Sequence, residues 1–145
     1  MEVYLVAHAP TSVQRLEDFA KLAFNFGDPV KGLIVTKPSG VAAQVGLADV
    51  SKLAYKLDKK LIILPDIDDA IELLKPDEIY TVSHDFGERV EKLEVKGRAL
   101  IIVGLTDPGL SKLEAQKGKA IYPSSPSGDI GPIASVAILL SGLKE

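Results

Sequence analysis

The sequence predicts a single α/β domain built on a mainly parallel sheet of five or six strands, with helices on both faces. Three observations carry this expectation. Short apolar runs rich in Val, Ile and Leu recur along the chain, each is followed by a stretch with helical spacing, and the runs are continuously apolar. Alternating strand and helix is the signature of a parallel sheet, and strands covered on both faces lose the in-out polarity of half-exposed ones. At 145 residues the chain fits one domain, 1–145, and can bury roughly two-thirds of its unfolded surface.

Taken in order, strands are expected over 3–8, 32–36, 60–64, 78–83, 99–104 and 119–122. Between the first two, Thr11 or Ser12 can cap a helix to about residue 25, with Leu16, Phe19, Ala20, Ala23 and Phe24 inward and Gly27 as terminator. Residues 39–58 read as helix with a break at Gly46 and a restart capped by Asp49 or Ser51. Asp66 opens the helix IDDAIELL, which ends before Pro76 because the residue preceding proline disfavours the helical region. Short helices are expected over 86–93 and 110–116. A last apolar helix starts near Asp129 or Gly131, with Pro132 in its first turn, and runs to about 142.

Composition narrows the function classes. The chain has no cysteine, which excludes disulfides, thiolate catalysis and Cys-ligated metal centres. The 17 Lys and Arg stand against 20 Asp and Glu, so no global basic field attracts nucleic acid, although a local basic patch stays open. No run reaches the roughly 18 apolar residues of a membrane span, and a cytoplasmic protein without membrane partners is expected. The acidic run Asp66, Asp68, Asp69 and Glu72 sits at a helix N-terminus, where negative charge is favourable, and reads as a solvated face. No phosphate-binding loop of the Walker kind is present.

The segment of about 99–143 holds two strands that end in Gly/Pro/Ser loops, LIIVG before LTDPGLS and KAIYP before SSPSGDIGP. In an open parallel sheet, loops at the carboxyl ends of strands are where small ligands bind. His8 and His84 fall at the ends of the first and fourth strands and are expected on that same edge, with Asp85 beside His84 suited to capping.

These segments resemble the SpoU branch of the SPOUT superfamily of S-adenosylmethionine (AdoMet) dependent methyltransferases. The second motif of that branch is a hydrophobic strand ending in glycine, a short turn and Gly-Leu, matched by Gly104, Gly109 and Leu110. Its third is a strand, a loop and a helix of small and aliphatic residues, matched by AIYPSSPSGDIGPIASVAILL. A fainter match lies in KLAFNFG, where Ala23, Phe26 and Gly27 fit and Lys21 replaces an arginine. The resemblance implies a C-terminal trefoil knot, a homodimer, RNA as acceptor, and an AdoMet pocket walled by Ser83, Gly104, Leu105, Thr106, Gly109, Ile121, Pro123, Ser127 and Ile130.

The catalytic positions depart from the pattern. Arg15 stands where the branch has Asn, Thr106 where it has an acidic residue, and Asp129-Ile130-Gly131 where it has Ser-Leu-Asn. Lys21 keeps the charge of the arginine and loses its bidentate fork. Arg15 and Lys21 are therefore expected to contact phosphate or position the acceptor, and His8, His84 and Asp129 to handle the proton. The resulting expectation is an AdoMet-binding RNA methyltransferase with divergent catalytic motifs.

Two alternatives stay open. A non-catalytic SPOUT-like binding protein is one. The other comes from Pro76-Asp77 followed by Glu94-Val95-Lys96, which spells the metal-binding pattern of RecB-like nucleases. There Asp77 and Glu94 would hold Mg²⁺ and Lys96 would assist water. Against it, Asp77 precedes its strand and Glu94 to Lys96 lie in a polar connection.

Overall fold

The structure, a computed structural model, describes residues 1–143. It contains β1 (Glu2–His8), α1 (Val13–Asn25), β2 (Val30–Thr36), a π-helical turn (Ala42–Gly46), α2 (Leu47–Leu57), β3 (Lys60–Leu64) and α3 (Ile67–Leu74). There follow β4 (Glu78–Val82), β5 (Glu88–Val90), β6 (Arg98–Gly104), α4 (Lys112–Ala115), β7 (Lys119–Pro123) and α5 (Pro132–Leu143). The strands form a seven-stranded sheet in the order β3-β2-β1-β6-β4-β7-β5, and every pairing is parallel.

Alternate residues of the central strand feed two cores. Val3, Leu5 and Ala7 pack with Leu16, Phe19, Phe24, Val136 and Leu140 under α1, α2 and α5. Tyr4 and Val6 pack with Ile67, Ala70 and Leu74 of α3 on the other face. This two-sided burial accounts for the apolar runs in the sequence. Ser12 caps α1 by accepting from Arg15 N at 3.2 Å, and Asp66 and Asp69 form a reciprocal capping box at α3.

Three expectations need correction. Residues 86–93 contain no helix; they supply β5, an edge strand whose three residues are too few to print a period. Gly46 does not break the helix before α2. The π-helical turn runs straight into α2 with Gly46 itself helical at φ −59°, so Asp49 and Ser51 lie inside the helix and cap nothing. A Cβ on Gly46 would stand 3.2 Å from Leu16 Cδ2, so the glycine is there to let α1 approach. The helix expected over 110–116 shortens to Lys112–Ala115, set by the Ser111/Glu114 capping box.

The most constrained piece of backbone joins β4 to β5. Val82 at the end of β4 and Glu88 at the start of β5 both pair with Ile121, one on each side of β7. Residues 83–87 therefore cross β7 at Ile121. Ser83 N donates to Ile121 O at 3.0 Å, and Gly87 N donates to Ser83 O at 3.0 Å. A Cβ on Gly87 would lie 2.4 Å from Ser83 O and 2.6 Å from the Ile121 carbonyl, so only glycine closes this crossing.

Urea denaturation of Gly87→Ala is expected to show a loss of about 1–3 kcal/mol from overpacking. Gly128→Ala, where a Cβ would meet open space, is expected to stay within about 0.5 kcal/mol of wild type.

Candidate functional site

Strand order places the site. The chain leaves β1 towards β2 on one side of the sheet and leaves β6 towards β7 on the other, so the direction of winding reverses between β1 and β6. Ligands of open α/β sheets bind outside the carboxyl ends of strands at such a reversal. Here His8 pairs with Gly104, and Leu105 N donates to His8 O at 3.0 Å. Arg15 on α1 reaches Asp107 of the loop after β6 at 3.4 Å. Both side chains are solvent-accessible, so the pair contributes little stability and leaves the guanidinium available.

A crevice opens beside this point, between the ends of β4, β6 and β7 and the start of α5. His84, Gly104, Gly109, Tyr122, Asp129 and Ser135 line it. The Tyr122 hydroxyl donates to Asp129 Oδ1 at 3.1 Å and accepts from Ile130 N at 3.1 Å. Asp129 Oδ1 also accepts from Gly131 N at 3.0 Å. The His84 ring meets Tyr122 edge-on at 5.3 Å, and the Arg89 guanidinium lies 4.9 Å from the Tyr122 centroid. The Gly131 amide and then the Tyr122 hydroxyl lower the Asp129 pKa, which keeps it a carboxylate. Burial, aided by Asp129, raises that of Tyr122, which keeps it a donor.

Of the residues expected at the site, His84, Asp129, Gly104 and Gly109 meet at this crevice, and Arg15 stands at the neighbouring reversal. Gly104 is required because a Cβ would fall 2.8 Å from the backbone of Gly109 and Leu110; Gly109 takes φ +102°. Leu105 and Ile121 are fully buried in the core. Thr106 lies between the reversal and exposed Asp107. The Ser83 hydroxyl accepts from Phe86 N at 3.1 Å and shapes the crossing turn. Pro123 and Ser127 are off the crevice, Pro123 buried in β7 and Ser127 exposed in the following loop, while Ile130 packs against the core. Lys21 is exposed further along α1, outside the crevice.

His8 is corrected as a proton-handling group. It is 2% exposed, with Nε2 2.8 Å from Glu114 Oε2 and Nδ1 2.8 Å from Thr36 Oγ1. A carboxylate only accepts, so Nε2 donates to Glu114 and Nδ1 is left for the threonine hydroxyl. Both nitrogens are spent tying β1, β2 and α4 together. Tyr122 and Arg89 are the functional candidates missing from the sequence reading. Tyr122 reads from sequence only as a strand residue, and Arg89 lies in a stretch whose local pattern resembles a helix.

The nuclease spelling falls at the amino edge of the sheet, where Glu94 and Lys96 are exposed. Asp77 Oδ2 accepts from Arg98 N at 2.8 Å at the amino edge of the sheet, opposite the crevice. Glu78, the next residue, accepts from Lys96 N at 2.7 Å and from the Tyr80 hydroxyl at 2.5 Å. Burial and then Glu78 push Tyr80 up to about 12. Glu94 and Lys96 line a separate hollow of about 410 Å³ with Met1 and Leu143, and Asp77 is not part of it. Among the described residues no three His, Cys, Asp or Glu side chains gather to hold a metal ion.

Residues 40–142 match the family described as RecB-family nuclease (DUF2122). Two curated relatives are named as candidate type II restriction enzymes. ApeKORF2002P from Aeropyrum pernix is 38% identical, over 97% of this chain and 91% of the relative. MjaORF1200P from Methanocaldococcus jannaschii is 30% identical, over 96% and 94%. Solved structures give the fold. A chain from work on 2-OH methylation of C/U34 on tRNA superposes with TM-score 0.73 at 17% identity, over 97% of this chain and 86% of that one. The SpoU methyltransferase AviRb from Streptomyces viridochromogenes gives 0.73 at 12%, over 97% and 58%, and its AdoMet complex gives 0.70 at 15%, over 94% and 54%.

These findings correct the expected function. The fold is that of the SpoU methyltransferases, but the relatives at 30–38% identity and the family carry nuclease and restriction-enzyme names. The AdoMet-dependent RNA methyltransferase reading is therefore set aside.

Burial raises the Glu114 pKa, but the Ser111 amide and His8 outweigh it and hold the carboxyl below its ordinary 4.5. A depressed carboxyl stabilises the fold above that ordinary value, and the contribution is lost as pH falls through the lower folded value. Glu114→Gln is expected to lower Tm at pH 7 and to flatten the decline of Tm below pH 4.5, as read by thermal melts across that range.

Proposed function

We propose that this chain, which belongs to the family described as RecB-family nuclease (DUF2122), is a nucleic-acid-processing protein that engages its substrate at the carboxyl edge of the sheet. The observation that carries the reading is the crevice cluster of His84, Arg89, Tyr122 and Asp129 beside the winding reversal. Arg89 is exposed and held over an aromatic face, which presents its charge to solvent with little freedom left to lose. Arg15 offers a second cation across the Gly104 loop. Cations at one strand-end edge, beside the part-exposed His84 ring, suit a phosphate backbone.

The names on both sides of the comparison support a nucleic-acid substrate. The curated relatives are named as candidate type II restriction enzymes, and several structural neighbours for methylation of RNA. The amino-edge residues Asp77, Glu94 and Lys96 take no part in the proposed site. Their polar groups hold residues 94–98 against β4.

Filter binding with labelled single-stranded RNA, single-stranded DNA and duplex at 50 and 200 mM salt tests this directly. Micromolar binding that weakens with salt and drops several-fold in Arg89→Ala is expected. Asp77→Asn is expected to lower Tm and leave binding and any cleavage per folded molecule unchanged. No binding to any nucleic acid, or Mg²⁺-dependent cleavage abolished in folded Asp77→Asn, would overturn the proposal.

A homodimer through α5 belongs to the same reading. Pro132–Leu143 carries no charged residue, and Ile138 stands 40% exposed beside a groove of about 280 Å³ lined by Val90, Pro123 and Ser124. An uncharged apolar outer face is a mark of association. Sedimentation equilibrium is expected to give a dimer mass for wild type and a monomer for Ile138→Asp. A monomeric wild type would contradict it.

A further inference from the structure

We infer that the hollow beside Phe86 seats one unpaired nucleobase of a single strand, with Lys112 and Lys117 facing the phosphates that flank it. The inference rests on the nucleic-acid reading above and names where on the surface a base docks. The hollow lies on the far side of the crossing turn from His84. It offers about 240 Å³ and is walled by the Phe86 ring, Ala115, Gly118 and Ala120, with Lys112 and Gln116 as its polar members. That is less than the roughly 300 Å³ at which sites for drug-sized ligands begin, and suits one flat ring system. Apolar walls with one amide and one ammonium would grip a ring by its faces and leave its edge to Gln116.

Phe86 is 47% exposed although it is one of only four phenylalanines in the chain. Its position is fixed, because its own amide is bound to Ser83 Oγ and the next residue closes the glycine crossing. An aromatic ring half-exposed on a fixed turn costs little entropy to stack upon.

Charge supplies the second half of the argument. The chain is net acidic at −3, yet KLEAQKGK, the stretch from Lys112 to Lys119, carries three lysines against Glu114 alone. Glu114 is turned away from this surface to His8 and Ser111. Lys117 is part-exposed and reaches Asp68 at 2.7 Å, while Lys119 reaches Glu88 at 3.6 Å on the other face of β7. Among the described residues Lys112 forms no ion pair. Lys112 and Lys117 thus supply local basic charge beside the half-exposed Phe86. A duplex buries its base faces by stacking, so the geometry favours a single strand.

The chain has no tryptophan, so Phe86→Trp introduces one fluorophore at the seat. Anisotropy with labelled ten-nucleotide oligouridylate and oligothymidylate, and with a duplex of equal length, is measured for wild type, Phe86→Ala, Phe86→Trp and Lys112→Ala. Loss of about 5- to 100-fold in single-strand affinity is expected for Phe86→Ala. Phe86→Trp is expected to bind as wild type, with its fluorescence quenched by either sugar series. Lys112→Ala is expected to weaken binding modestly and reduce the salt slope by about one. Unchanged affinity in Phe86→Ala together with unquenched fluorescence in Phe86→Trp, while wild type binds, would overturn the base seat and leave the nucleic-acid reading standing. Absence of binding by wild type would instead sink that reading, and this inference with it.

Discussion

The passage of residues 83–87 across Ile121 is the constraint on which the rest of the molecule depends. It puts β7 between two strands that are consecutive in the chain, against the usual preference for uncrossed connections. One glycine makes it feasible, because the turn lies on the Ile121 carbonyl with no room for a methyl group. From this crossing follow the position of His84 on one flank, Phe86 on the other, and Arg89 over Tyr122 once the chain has reached the sheet edge. Two candidate binding features thus share one short, rigid support.

The two edges of the sheet divide the polar groups by role. At the amino edge, Asp77 and Glu78 each accept a backbone amide on one carboxylate oxygen, from Arg98 and Lys96, and the Tyr80 hydroxyl donates to the other oxygen of Glu78. Carboxylates that accept backbone N–H groups in this way organise a turn and are poorly placed to give those lone pairs to a cation. At the carboxyl edge, His8 and Glu114 serve as ties, whereas His84, Arg89 and Arg15 keep faces open to solvent. A family named for nuclease activity is therefore found here on a fold shared with methyltransferases.

Fold class, six of the strands and the long helices were legible because burial on both faces writes itself into composition. Ser12 and Asp66 announced their helices by capping chemistry. What stayed hidden was non-local. Nothing in the local pattern of residues 86–93 says that three of them pair with a strand some thirty positions later, and the same residues taken alone resemble a helix. Gly46 read as a breaker because its packing against Leu16 is a tertiary fact. At the crevice, His84 was placed by its strand end, and Gly104, Gly109 and Asp129 by the resemblance. Tyr122 and Arg89 were not, since their meeting depends on the crossing. The resemblance that gave the fold correctly also suggested a reaction that close relatives do not carry in their names, because fold is retained at identities where chemistry need not be.

The most direct test of where this protein works is a map of backbone amide shifts during titration with a short single-stranded oligonucleotide, with and without Mg²⁺. The account predicts shifts concentrated at residues 83–89, 104–109, 112–120 and 129–131, unaffected by the metal. Shifts centred on Asp77 and residues 92–98 that appear only with Mg²⁺ would contradict it.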